Sequence, residues 1–319
     1  MMKRNIILYL LLAFTMQLRS GGLFAQVATQ TQSVTTGADS LIVYVDIDSV
    51  VITPDEVGNE LDKIIAIIRN DTTFYKAFKN LHFHTYNADN IITVYDKKNK
   101  PKASLVSETK HIYRDNCRQM LVLEEAVSGN YYNRKEHPNY YTAEMYEALF
   151  FARKPVCGEI NKLDLNSLEA NGSSLEKHKA QLKKLMFSPG SKINGIPFIG
   201  NKASIFDAEI AAKYRFSLKL VLKDGEACYL FEATPLVEHK KDVVYKEFKT
   251  WIRTSDYAMM ARNYHLQYAT MVYDFDIRIQ VNLQTVGNAL LVKTIDYDGN
   301  WRAITQGREI VKFKSIFYH

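Results

Sequence analysis

His82 and His84 stand two residues apart. On a strand that spacing puts both imidazoles on one face, where they could share a metal ion. A metal site needs three or four ligands, and the sequence sets no Cys, Asp or Glu beside the pair. Two solvent-side histidines are therefore expected, and no metal. Asp274 and Asp276 have the residue type for acid–base work, but they alternate with Arg278 along a strand-like run, the pattern of a solvated face. Cys117, Cys157 and Cys228 form no CxxC motif. In an exported chain two of them could pair, leaving at least one thiol, and small apolar packing roles are the expectation. HExxH, GxSxG and P-loop patterns are absent, so the chain reads as a non-enzyme without a cofactor. Tyr131, Tyr132, Tyr140, Tyr141 and Tyr146 could stack against a sugar, but the favoured reading is amphipathic residues at a sheet margin.

The elements around these residues are clearer than the chemistry. Met271, Tyr273, Phe275, Ile277, Ile279, Val281 and Leu283 alternate with Asp274, Asp276, Arg278, Gln280 and Asn282, which predicts a strand with one apolar and one wetted face. Lys223-Asp224-Gly225-Glu226 predicts a two-residue hairpin turn. That register sets Leu222 opposite Ala227, Leu220 opposite Tyr229, Leu218 opposite Phe231 and Cys228 opposite Val221. Lys97-Lys98-Asn99-Lys100-Pro101 predicts another exposed hairpin tip, and Asp298-Gly299 a further tight turn. Thr53-Pro54-Asp55-Glu56 is a helix start with a capping box, followed by Leu61, Ile64, Ile65 and Ile68 at helical spacing. Further capping boxes begin at Ser173 and Ser204, and the first opens a stripe containing Leu175, Leu182, Leu185 and Met186. A Gly/Pro-interrupted loop at 190–201 could act as a hinge. The order is helix, strands, central helices, strands, which predicts an α+β fold with an antiparallel sheet rather than βαβ units.

At the N-terminus, Lys3 and Arg4 precede an apolar run too short to span a bilayer, and Ala25 offers a cleavage site. Residues 1–25 are expected to be a signal peptide, 26–40 a flexible lead-in, and 41–319 a single domain with helical segments near 54–78 and 173–213. No later stretch is expected to cross a membrane. Cleavage would remove Lys3, Arg4 and Arg19 and no acid, lowering the net charge from +6 to +3. Without a basic block, such a charge gives no ground for nucleic-acid binding.

Tyr214-Arg215-Phe216-Ser217-Leu218 runs into Asp224-Gly225-Glu226-Ala227-Cys228-Tyr229, then the 231–235 strand, the 248–253 strand and Thr254-Ser255-Asp256-Tyr257-Ala258-Met259-Met260. This succession resembles the superfamily of periplasmic outer-membrane lipoprotein-sorting and lipoprotein-carrier proteins (LolA-like), and residues 70–151 resemble exported proteins related to that group. The resemblance implies a strongly curved, unclosed antiparallel sheet, a half-barrel, with helices on its concave face and acyl chains held between them. The expected function is a periplasmic carrier or binding protein for a lipid, a lipoprotein acyl chain or another apolar ligand. The alternative is an envelope interaction module with other envelope proteins as partners and a filled core. In the carrier reading Ile64, Ile65, Ile68, Leu182 and Leu185 supply the cover. Leu218, Leu220, Tyr229, Phe231, Tyr273, Phe275 and Ile277 supply the floor.

Overall fold

The computed structural model describes residues 44–45, 54–161, 187, 189–190, 201–271, 273–303 and 306–319. The expected signal peptide, the lead-in and the stripe carrying Leu182 and Leu185 lie outside the described residues. Near the start of the described part lie two helices, α1 (Pro54–Arg69) and α2 (Thr73–Leu81). The sequence predicted one helical segment here. Asp71 explains the break, because its carboxylate accepts from the backbone N–H of Thr73 (2.8 Å) and Phe74 (3.3 Å) and so starts a second helix.

A short strand β1 (Tyr44–Val45) precedes the helices. After them come β2 (Tyr86–Tyr95), β3 (Pro101–Arg114) and β4 (Cys117–Gly129). The third helix, α3 (Tyr141–Phe150), and β5 (Val156–Cys157) follow. A short α4 (Ala208–Ala211) leads into β6 (Tyr214–Lys223), β7 (Glu226–Pro235) and β8 (Tyr245–Arg253). The chain closes with β9 (Met259–Ala269), β10 (Tyr273–Val286), β11 (Ala289–Ala303) and β12 (Gln306–Tyr318).

All twelve described strands join one sheet in the order β1-β6-β7-β8-β9-β10-β11-β12-β2-β3-β4-β5. β1 and β5 are its two ends, so the sheet is not closed, in keeping with a half-barrel. Every pairing is antiparallel except β1 with β6. The C-terminal strand β12 pairs with β2, which splices the N-terminal strands onto the long C-terminal meander.

The hairpin between β6 and β7 has the predicted register, with Leu222 on Ala227, Leu220 on Tyr229, Leu218 on Phe231 and Cys228 on Val221. Asp224 and Gly225 both take positive φ, as a turn that matches strand twist requires. In β10 the alternation holds: Phe275, Ile277, Ile279, Val281 and Leu283 are buried, while Arg278 and Gln280 are exposed and Asp274 and Asp276 half-exposed. Met271 departs from this pattern, lying 92% exposed ahead of the strand.

Four expectations are corrected. Asp298-Gly299 is not a turn but mid-strand in β11; a Cβ on Gly299 would collide with the Tyr297 ring, so glycine answers a close approach. His82 and His84 follow α2 in a turn rather than sharing a strand face. The capping box at Ser204 does not start a helix; α4 begins four residues later, with Asp207 at its cap position. Finally, the tyrosine-rich stretch contains α3, and Tyr131, Tyr140, Tyr141 and Tyr146 are buried rather than marginal.

Candidate functional site

On the apolar face of the sheet, helices and strands share one continuous hydrophobic core. Of the expected cover residues, Ile64 and Ile68 of α1 are buried in it and Ile65 is half-buried against it. Of the expected floor, Leu218, Phe231, Phe275 and Ile277 are buried in the same core, and Tyr229 packs against it half-buried. Leu220 is half-buried beside Tyr229, and Leu222, at the open end of that row, is 70% exposed. Tyr273 belongs to β10 by its backbone, and its side chain is outside the described residues. The floor residues form two groups: β6 and β7 carry one, β10 the other, with β8 and β9 between. At about 4.8 Å per strand this separates β7 from β10 by roughly 14 Å, which is a long floor rather than one small pocket.

The helices are fastened to this face in different ways. α2 is held by buried polar bonds. Arg262 of β9 is 2% exposed, reaches Asp71 (3.5 Å) and Thr250 (3.2 Å), and lies over the rings of Phe74 and Phe248. Burial draws the Arg262 pKa down while the Asp71 charge opposes that shift. The Asn80 side chain donates to the Leu290 carbonyl at 2.9 Å. α3 is held as firmly. The Glu309 carboxylate of β12 accepts from the N–H groups of Tyr141 (2.7 Å) and Thr142 (3.0 Å), placing a negative charge at the helix N-terminus. Below it, Tyr146 Oη bonds Asn90 (2.6 Å) and Ser315 (2.5 Å), and Trp301 Nε1 donates to Thr142 Oγ1 (2.9 Å).

α1 differs. Its apolar stripe, Leu61, Ile64 and Ile68, is buried, but among the described residues its polar contacts are exposed or at most part-buried. Tyr257 Oη bonds Glu60 (3.1 Å) and Lys63, the Lys63 ammonium lies over the Tyr257 ring, and Arg69 donates to the Phe206 carbonyl (2.7 Å). The exposed ones, to Lys63 and Arg69, contribute little. The sequence showed the stripe but not the anchors. Arg262 could have been noticed as a cation standing in the apolar column of β9, between Met260 and Tyr264.

A second cluster surrounds the first cysteines. Cys117 and Cys157 form a disulfide joining β4 to β5, which corrects the expectation of simple packing roles; Cys228 is a buried free thiol, its pKa raised chiefly by burial. Next to the disulfide, Glu159 pairs with Arg118 (2.5 Å) and lies 3.3 Å from His82. His111 donates from Nδ1 to the His84 carbonyl (2.8 Å), stacks on Tyr86 and leaves Nε2 buried without a partner. Burial holds its pKa down at about 4. No group of three or more metal-binding side chains occurs among the described residues.

A cavity of about 480 Å³ lies on the opposite, polar face, with Ile91, Thr93, Arg278, Gln280, Asp296 and Lys312 in its lining. It was not foreseen. Ion pairs such as Lys312–Asp298 (2.8 Å) occupy its rim.

No family model matches the sequence, and no curated protein matches it. Three solved structures are similar. A DUF1329 family protein from Desulfovibrio piger is 11% identical, with 82% of this chain and 91% of that chain covered and a TM-score of 0.25. An outer membrane lipoprotein-sorting protein domain from Vibrio parahaemolyticus is 9% identical, covering 81% and 88%, with a TM-score of 0.24. A LolA superfamily protein from Nitrosomonas europaea is 10% identical, covering 77% and 91%, with a TM-score of 0.21. The last two carry the names of the group that the hairpin phrases resemble. At these TM-scores the likenesses carry no argument, and the reading below stands on the sheet and its helices.

Proposed function

We propose that this protein is an exported, non-enzymatic carrier or binding protein for an acyl chain or another apolar ligand, taken up between α1 and the β6–β7 end of the apolar face. The observation that carries this reading is a contrast in fastening among the described residues: α2 and α3 each have a buried polar anchor, Arg262–Asp71 and Tyr146–Asn90, whereas the polar contacts of α1 are exposed or part-buried around a buried apolar stripe. Magnitudes allow the exchange. Exposing Leu61, Ile64 and Ile68 costs about 5–9 kcal/mol, and burying ten chain methylenes contributes about 8 kcal/mol. A ligand would then replace α1's contacts with the floor rather than fill a ready-made void. Half-buried Ile65, Leu220 and Tyr229, beside exposed Leu222, would form the entrance. Export rests on the pattern of residues 1–25. None of the described helices is long and apolar enough to cross a membrane.

The second reading is an interaction module of the envelope with a filled core. It is favoured by the complete burial of Ile64 and Phe231, both 0% exposed. Native mass spectrometry of the protein isolated from its own cells separates the two. Co-purifying lipid, released when α1 is destabilised by Ile64→Asn, supports the carrier. A lipid-free mass for the native protein rejects it.

A further inference from the structure

The far end of the sheet is a bare strand edge. β5 pairs only with Cys117 and Arg118 of β4, and the Met120 N–H bonds the Ala152 carbonyl at 2.8 Å. Beyond that point all nine residues from 121 to 129 are exposed. Among the described residues no strand pairs with them on the side away from β3. At about 3.3 Å per residue the open edge runs for roughly 30 Å, enough for a partner strand of ordinary length. Exposed edges are usually blunted by proline, charge, a bulge or a covering element. This one has no proline or lysine; it carries one bulge, at Leu123, where Glu124 pairs with Glu108 and Val122 with Thr109, and it presents Leu121, Val122, Leu123 and Val127 at 39–55% exposure.

Its charge is one-sided. Glu124 stands directly opposite Glu108 of β3, and no cation pairs with either among the described residues. Like charges opposite one another in a sheet are unfavourable, so the pair invites a cation. Glu125, on the other face, is already neutralised by Arg153 at 2.6 Å. A second copy of this chain is a poor occupant, because antiparallel pairing of two such edges would bring the Glu124-Glu125 steps together. We propose that β4 is a docking edge for an extended segment of another protein, one carrying a Lys or Arg opposite Glu124 and apolar side chains over Val122 and Val127. Backbone hydrogen bonds would supply the affinity and the Glu108–Glu124 pair the selectivity.

The probe is a fluorescent, capped nine-residue peptide alternating valine with threonine, with one central lysine. It is titrated against the full protein by anisotropy. Binding should weaken about tenfold when the edge-facing amides are N-methylated, which keeps side chains and charge but removes donors. It should weaken about five- to tenfold with Glu124→Lys, and recover when the peptide lysine is replaced by glutamate. Glu124 is exposed, so this variant should fold, and circular dichroism checks that it does. Equal binding of the N-methylated peptide would mean mere electrostatic adsorption and overturn the proposal. So would no binding at roughly 1 mM peptide, where only interactions weaker than about 4 kcal/mol escape. A wild-type dimer in sedimentation that Glu124→Lys alters would overturn it in favour of self-pairing.

Discussion

His111 shows how one buried side chain ties stability to pH. Its Nδ1 proton is committed to the His84 carbonyl and its Nε2 is buried without a hydrogen-bond partner, so protonation would bury a charge that no hydrogen bond at Nε2 relieves. Its folded pKa, about 4, lies below the ordinary 6.5. The unfolded chain therefore binds the proton first as pH falls. The stability that neutral His111 contributes is fully present above about pH 6.5 and drains away down to about pH 4. Burial lowers the His82 pKa as well, so it adds to the same trend. Urea unfolding followed from pH 7.5 to 4 should show this loss, and His111→Phe should flatten it; an unchanged slope in the variant would contradict the assignment. On β10 the same logic separates neighbours. Ile277→Asp places a charge in the core and should cost about 3 kcal/mol or more. Asp276→Asn loses half-exposed contacts to His265 (2.8 Å), Gln267 (2.9 Å) and Arg278 (3.2 Å), and should cost about 1 kcal/mol or less. Chemical denaturation of both variants checks the facing, which equal losses would reverse.

Among the elements, legibility followed locality. The β6–β7 register was readable because Asp224-Gly225 allows a tight turn and fixes every pair that follows. The start of α1 at Pro54 and its stripe were readable from capping and 3.6-residue spacing. Asp298-Gly299 misled because the same dipeptide that makes turns also makes room, here for the Tyr297 ring. The real turn, Gly287-Asn288 between Val286 and Ala289, lies twelve residues earlier in the chain than Gly299. α3 was missed although Ala143, Glu144, Met145, Glu147, Ala148 and Leu149 are good helix formers, because the tyrosines around them were read as a sheet margin and its stabiliser, Glu309, is 167 residues away or more. The disulfide was equally non-local, its cysteines standing 40 positions apart in the chain. A loop of that size should contribute about 4 kcal/mol by restricting the unfolded chain. Cys117→Ser should therefore lower the unfolding free energy by about 2–4 kcal/mol in urea, and an unchanged midpoint would show that the crosslink constrains nothing.

At the scale of the whole molecule, the antiparallel sheet was legible from alternation, but its assembly was not. Nothing local in 86–95 or 306–318 says that β2 and β12 pair, although that pairing makes one sheet out of two strand runs. The candidate site divides in the same way. Alternation and helical spacing pointed to Ile64, Ile68, Leu218, Phe231, Phe275 and Ile277, and all six are buried in the hydrophobic core. Those patterns could not tell which helix is fastened, because Arg262–Asp71, Glu309–Tyr141 and Tyr146–Asn90 are contacts across the chain. That difference in fastening makes α1 the element to test. In a displacement titration with a fluorescent fatty acid, the protein should bind acyl chains with an affinity that rises with chain length, by about 0.8 kcal/mol per buried methylene, and that changes little with salt. Leu220→Trp, at the half-buried position proposed as the entrance, should weaken binding of the longest chains while the fold survives. Absence of acyl binding at micromolar protein, or binding indifferent both to chain length and to Leu220→Trp, would contradict the carrier reading.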